Sequence, residues 1–301
     1  VTLMKDITAV DTGAGEETGV SAKITSGTVV LDLNGKTLSA YPANIGASGK
    51  HLILITETAN VTIKDGTIIG DGRVSNVISK GGSGTLTLDN VAIDCSIGSG
   101  YMTHDPVGVN INTGSGNVEI TDCQITGKQN LVYVGGAYNG TTTISGTSTM
   151  IASTGGALTM SATGENAKLI LDGVQVTGRE FGVRLSSKNL VLQNGATVTC
   201  EIEDAGNYGN CSGAGIAISQ TANLMTQSVE IEDGCTVTGA TDTGAIRITH
   251  QGGSSAEWAA KFDNGYSVTV KGAPSGSVYY YTAGGWSEAT VSEDGTVSAG
   301  T

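Results

Sequence analysis

Val61-Thr62-Ile63-Lys64-Asp65-Gly66 sets two apolar residues on either side of a polar one and follows them with Lys, Asp and Gly. Alternation of this kind turns Val and Ile to one face of a strand and Thr to the other, and Asp-Gly is turn chemistry that ends the strand sharply. The same phrase returns along the chain. It reads Leu31-Asp32-Leu33-Asn34-Gly35, Leu86-Thr87-Leu88-Asp89-Asn90, Val118-Glu119-Ile120-Thr121-Asp122 and Leu169-Ile170-Leu171-Asp172-Gly173. It continues as Leu190-Val191-Leu192-Gln193-Asn194-Gly195, Val229-Glu230-Ile231-Glu232-Asp233-Gly234 and Val268-Thr269-Val270-Lys271-Gly272, with a weaker copy at Thr143-Ile144-Ser145-Gly146. The second apolar residue falls at 33, 63, 88, 120, 144, 171, 192, 231 and 270.

A second short strand follows each copy, as in Thr37-Leu38, Thr67-Ile68, Val91-Ala92-Ile93 and Thr197-Val198. After a variable loop a third strand precedes the next copy: Val109-Asn110-Ile111, Val132-Tyr133-Val134, Leu158-Thr159-Met160, Val183-Arg184-Leu185, Ile216-Ala217-Ile218 and Ile246-Arg247-Ile248. Three strands in a repeat of roughly 20–30 residues form one coil of a β-solenoid. A β-sandwich would alternate too, but would not repeat this unit. The expected fold is therefore all-β, a single-stranded parallel β-helix of about nine to ten coils. At about 4.8 Å per coil, nine copies make a rod roughly 43 Å long. Residues 1–273 read as the helix and 274–301 as a small C-terminal β-hairpin cap built on Val278-Tyr279-Tyr280-Tyr281 and Gly285-Trp286.

Composition agrees: 46 Gly, 4% aromatic and 14% charged residues suit short strands and turns. The net charge of −13 and the lack of a Lys/Arg cluster argue against nucleic-acid binding. No apolar run approaches the roughly 20 residues of a membrane-spanning helix. Val1 to Thr8 reads as the start of one module of a larger protein. The five cysteines form no CxxC; Cys200 and Cys211 flank a Gly- and Asn-containing loop and are the candidate disulfide pair.

The coil pattern, with a two-residue Asn/Asp/Gly corner expected between the second and third strands, resembles the pectate-lyase-like superfamily of right-handed parallel β-helices. Val29-Val30-Leu31-Asp32-Leu33-Asn34-Gly35-Lys36-Thr37-Leu38 is similar to the first coil of large surface proteins of Gram-positive, often gut, bacteria. The resemblance covers residues 20–273 and implies right-handedness, a secreted or cell-surface setting, and a substrate groove over the third strand. The outward residues there should be Asn110, Tyr133, Thr159, Arg184, Ala217 and Arg247, beside a second column of Asn112, Gly135, Ser161, Ser186, Ser219 and Thr249. Flanking loops bring His104, Asp105, Glu180, Asp204, Tyr208 and Asp242.

Hydrolysing members of the superfamily place several aspartates on that strand, and calcium-dependent lyases need carboxylate oxygens there. Neither outward column carries one. A metal-free lyase could use Arg184 or Arg247 to hold a uronate carboxylate and Tyr133 or His104, with Asp105, as acid/base groups. Asn110, Asn112, Tyr133, Thr159, Arg184 and Arg247 are the candidate ligand-binding set. Glu201, Glu203 and Asp204 are weak candidates for a structural Ca²⁺. The expectation is a non-catalytic β-helix module for adhesion or display that binds a polysaccharide or host-surface glycan. A polysaccharide lyase or hydrolase is the second reading and a phage-type tail fibre the third.

Overall fold

The computed structural model describes residues 1–9, 20–40, 51–71, 74–97, 106–203, 212–221, 223–251 and 258–300. Their strands form three long parallel ladders, with no α-helix among the described residues, an arrangement consistent with a β-helix. The first ladder runs through Thr28–Asp32, the leading halves of Asn60–Asp71 and Leu86–Ile97, Val118–Thr121, Thr141–Ser145, Lys168–Asp172, Lys188–Gln193, Thr226–Ile231 and Ser267–Lys271. The second holds Ile7–Ala9, Thr37–Ala40, the trailing halves of the two long strands, Gln124–Gly127, Thr149–Ala152, Gln175–Gly178, Thr197–Cys200 and Thr236–Thr238. The third holds Val20–Ile24, His51–Ile55, Asn76–Lys80, Val107–Gly114, Val132–Tyr138, Gly156–Met160, Phe181–Leu185, Ala214–Gln220, Ile246–His250 and Val278–Thr282.

Ile63, Leu88, Ile120, Ile144, Leu171, Leu192 and Ile231 stand in line across the first ladder, as the repeated phrase predicts. The two terminal copies are each displaced by two residues. Leu31, not Leu33, faces Ile63, because the first corner is two residues longer: Asp32 pairs with Lys64 and Thr37 with Thr67. At the other end Val270 faces Val229, which sets Gly272 beside Ile231. A Cβ on Gly272 would stand 1.8 Å from the Ile231 carbonyl oxygen. A shift of two keeps the pleat in phase, so no side chain changes face.

The left-handed corner lies between the first and second strands of each coil, not between the second and third as expected from the sequence. Asn34, Asp65, Asn90, Asp122 and Asn194 occupy it with φ of 52° to 57°, and Gly146, Gly173, Gly234 and Gly272 serve in the other copies. Asn and Asp tolerate this conformation because a short polar side chain can bond locally. They also bond from coil to coil: Asn90 Nδ2 donates to Asp65 Oδ1 at 3.0 Å, and Asn194 Nδ2 to Asp172 Oδ1 at 2.6 Å. A β-branched side chain should not fit here. Asn90→Val is expected to cost about 2 kcal/mol in a denaturant melt, and Asn90→Gly less than half of that.

Inward residues stack as mainly aliphatic files, each buried Val, Leu or Ile contributing about 1.5–3 kcal/mol. Polar side chains interrupt them, Thr142 between Val118 and Leu169 and Gln227 beside Val268, and at one position the polar residue is a lysine. Lys80 faces inward between Ile55 and Ile111 and is fully buried. Its ammonium donates to the Gly82 carbonyl at 2.8 Å and lies 5.9 Å from the Tyr138 ring centroid. Burial pushes its pKa down to about 8.

Additional backbone pairing extends the ladders at both ends. Val1 to Leu3 bond to the backbone of Val30 and Asp32. At the other end Val278–Thr282 extends the third ladder in parallel, then pairs antiparallel with Gly285–Val291, which pairs with Val297–Ala299. This hairpin covers the last strand of the third ladder, while Thr236–Thr238 remains the last described strand of the second.

Candidate functional site

The outward residues expected on the third strand form one straight row. Asn110, Tyr133, Thr159, Arg184, Ala217 and Arg247 are register partners, continuing to Ser79 on one side and Tyr279 on the other. Adjacent members are about 4.8 Å apart. Their environments divide the row in two.

From Asn110 to Arg184 the row is a partly open polar strip. Asn110 Nδ2 donates to Asn76 Oδ1 at 2.7 Å, and Asn76 Nδ2 lies 3.1 Å from His51 Nδ1. Burial lowers the His51 pKa, which favours the neutral imidazole that can accept this bond. Thr159 is 5% exposed and donates to Asn130 Oδ1 at 2.9 Å, which leaves it little to offer a ligand. Asn112 stands half-buried in the neighbouring column.

Tyr133 is aimed by a local irregularity. The register with the preceding strand breaks between Val134 and Ala137, a bulge formed by Gly135 and Gly136. Bulges re-aim side chains and concentrate near functional sites. A Cβ on Gly135 would stand 2.3 Å from Tyr133 Cε1, so the ring lies along the strand over the glycine. Ser161 Oγ donates to the Tyr133 hydroxyl at 2.9 Å and pins the ring. The result is a partly exposed aromatic side chain with polar neighbours.

From Ala217 to Arg247 the row is roofed. Ala217 is fully buried against Phe181 and Ala214. Arg247 is 1% exposed. Its Nη1 is 2.8 Å from Glu203 Oε1 and bonds the Ser212 carbonyl; Nε donates to the Thr243 carbonyl; Nη2 donates to Thr241 and Thr243 hydroxyls. The Trp286 ring of the terminal hairpin lies 4.5 Å from its Cζ. Arg247, expected from the sequence as an outward ligand-binding or catalytic residue, is thus enclosed, and its contacts join the hairpin and Glu203 to the last coils.

Arg184 has a different environment. Its register partners are Thr159 and Ala217, its Nη2 donates to the neutral Gln251 Oε1 at 3.0 Å, and its Nε is buried without a partner. Next along the strand, Ser186 is 2% exposed and its hydroxyl also lacks a partner. The Gly135-Gly136 bulge and Gln251 were missed in reading the sequence. The glycine pair was its one available signal; Gln251 reaches Arg184 across 67 residues and left none.

His104, Asp105, Asp204, Tyr208 and Cys211 lie outside the described residues. Glu201 and Glu203 belong to no group of three or more metal-ligating side chains among the described residues, and Glu203 is engaged by Arg247. Cys200 carries a free thiol that donates to the Ile202 carbonyl at 3.3 Å, and burial pushes its pKa up to about 11. Compared with protein-family models, curated proteins and solved structures, the chain matches none of them.

Proposed function

We infer that this chain is a carbohydrate-binding, non-catalytic module of a secreted or cell-surface protein. Its fold is read as a right-handed parallel β-helix of about nine to ten coils, related to the pectate-lyase-like superfamily. The observation that carries the reading is Tyr133. Its ring is laid flat over a glycine bulge, pinned through its hydroxyl and bordered by Asn110, Asn112 and Ser161. A rigid aromatic face ringed by hydrogen-bonding side chains suits the mixed apolar and hydroxyl surface of a sugar. The non-catalytic part leans on Arg247: the second cation of the row is spent on holding the cap.

Binding to a panel of soluble polysaccharides, measured by affinity electrophoresis, tests the reading. Tyr133→Ala is expected to weaken binding at least tenfold, as loss of a central aromatic contact does. The melting transition should fall only modestly, because the side chain is partly exposed and gives up one hydrogen bond. Unchanged affinity in Tyr133→Ala would remove the sugar from this face.

A further inference from the structure

We propose that Arg184 is an anion-recognition residue on this strip, which selects glycans bearing a carboxylate or sulfate group. The inference rests on the carbohydrate-binding reading and adds the chemical class of the ligand. It starts from a comparison with two other described cations on the ladders, Lys64 and Arg247. Lys64 lies 3.2 Å from Asp32 and 2.8 Å from Asp65. Arg247 is paired with Glu203 and bonded through all three guanidinium nitrogens. In a chain with 28 acidic and 15 basic residues, counter-charges are plentiful. Arg184 takes none: its acceptor is a neutral amide, its row neighbours are Thr159 and Ala217, and its Nε has no acceptor.

An arginine nitrogen desolvated without an acceptor is unfavourable, and an amide oxygen is a weaker partner for it than an anion. Ser186 Oγ, two residues along the same face and likewise unpartnered, supplies a neutral donor beside it. Guanidinium edge plus hydroxyl, with no carboxylate bonded to either, matches a carboxylate or sulfate oxygen cluster. The Gln251 side chain holds the place that the anion takes. Arg184 stands two strands from Tyr133, about 10 Å along the row, so one chain of sugars can reach both. The net charge of −13 repels polyanions in general, so any preference for them must be local.

The test uses backbones that differ only in charge: dextran and soluble cellulose, each with its carboxymethyl and sulfate derivatives. The full chain is expected to bind at least one charged derivative about tenfold more tightly than the neutral parent, equivalent to one charge-assisted contact. Arg184→Gln should remove that preference, bringing charged and neutral forms to equal affinity, and Arg184→Lys should restore part of it. The carboxymethyl and sulfate arms decide which anion is preferred. Equal affinity for charged and neutral forms, or an undiminished preference in Arg184→Gln, overturns the proposal and leaves the Tyr133 reading standing. Undiminished affinity for the charged derivative in Tyr133→Ala overturns the Tyr133 reading instead. Absence of binding to every backbone overturns both.

Discussion

Arg247→Ala is expected to lower stability by about 3–5 kcal/mol and to release the C-terminal hairpin. The side chain is enclosed, so its removal opens a cavity under Trp286 and takes one donor from each of the Ser212 and Thr243 carbonyls. Each buried acceptor left unpaired costs about 1–3 kcal/mol. The other half of the ion pair should matter less. The Glu203 side chain is 43% exposed, so Glu203→Gln leaves a guanidinium that still has its neutral acceptors and is expected to cost about 1–2 kcal/mol. Solenoids unfold in part from their ends, so the change should appear first as a separate low-temperature step. A red shift of Trp286 fluorescence in that step, in Arg247→Ala only, is the expected signature. Loss of less than 1 kcal/mol with unchanged emission would mean that the hairpin is held by its strand pairing alone.

The second large effect concerns pH. Lys80 has a folded-state pKa of about 8 against 10.5 for the ordinary side chain, and the cause is burial. The unfolded chain therefore holds a proton between pH 8 and 10.5 that the folded chain has given up. Stability must rise with pH through that window, and the charge penalty is complete below pH 8. A shift of this size corresponds to about 3 kcal/mol. Tyr138, whose pKa is raised by burial, works in the opposite direction above pH 10, so the gain is best read between pH 8 and 10. Lys80→Met keeps the volume and the apolar stem. It is expected to be more stable than the parent by about 2–3 kcal/mol at pH 7 and to lose the upward slope. A flat parent profile, or a destabilised Met variant, would show that the Gly82 carbonyl and the Tyr138 ring compensate the ammonium fully.

The main lines of the fold were legible in the sequence for a physical reason. A coil must turn sharply after each first-ladder strand, and only Gly, Asn and Asp take the left-handed conformation cheaply. The corner residues therefore mark the period, and alternation assigns the faces between them. Seven of the repeated phrases fall in register as read. The terminal two do not, because corner length at Leu33–Lys36 and a close approach at Gly272 are backbone matters that no apolar pattern records. Asn76–Lys80 escaped notice as a strand: its alternation is correct, but a lysine occupies the inward position.

The candidate row shows a sharper limit. Its alignment from Asn110 to Arg247 could be read from the third-strand phrases alone. Which of its members face solvent could not, because the cover comes from distant segments. Trp286 reaches Arg247 from the terminal hairpin, and Gln251 reaches Arg184 from beyond two further strands of the ladder. Two arginines with the same local sequence setting thus end in opposite roles, one locked into the cap and one facing a polar strip.

The claim that this strip holds a glycan without cutting it is tested most directly by one incubation read two ways. The protein is mixed with each polysaccharide, and both the bound fraction and the appearance of new reducing ends are followed over time. Saturable binding that Tyr133→Ala abolishes, with reducing ends flat at the level of a protein-free control, is the expected result. Reducing ends that accumulate with the parent protein and fall to background in Arg184→Gln would contradict it, and would make the Tyr133–Arg184 strip an active site.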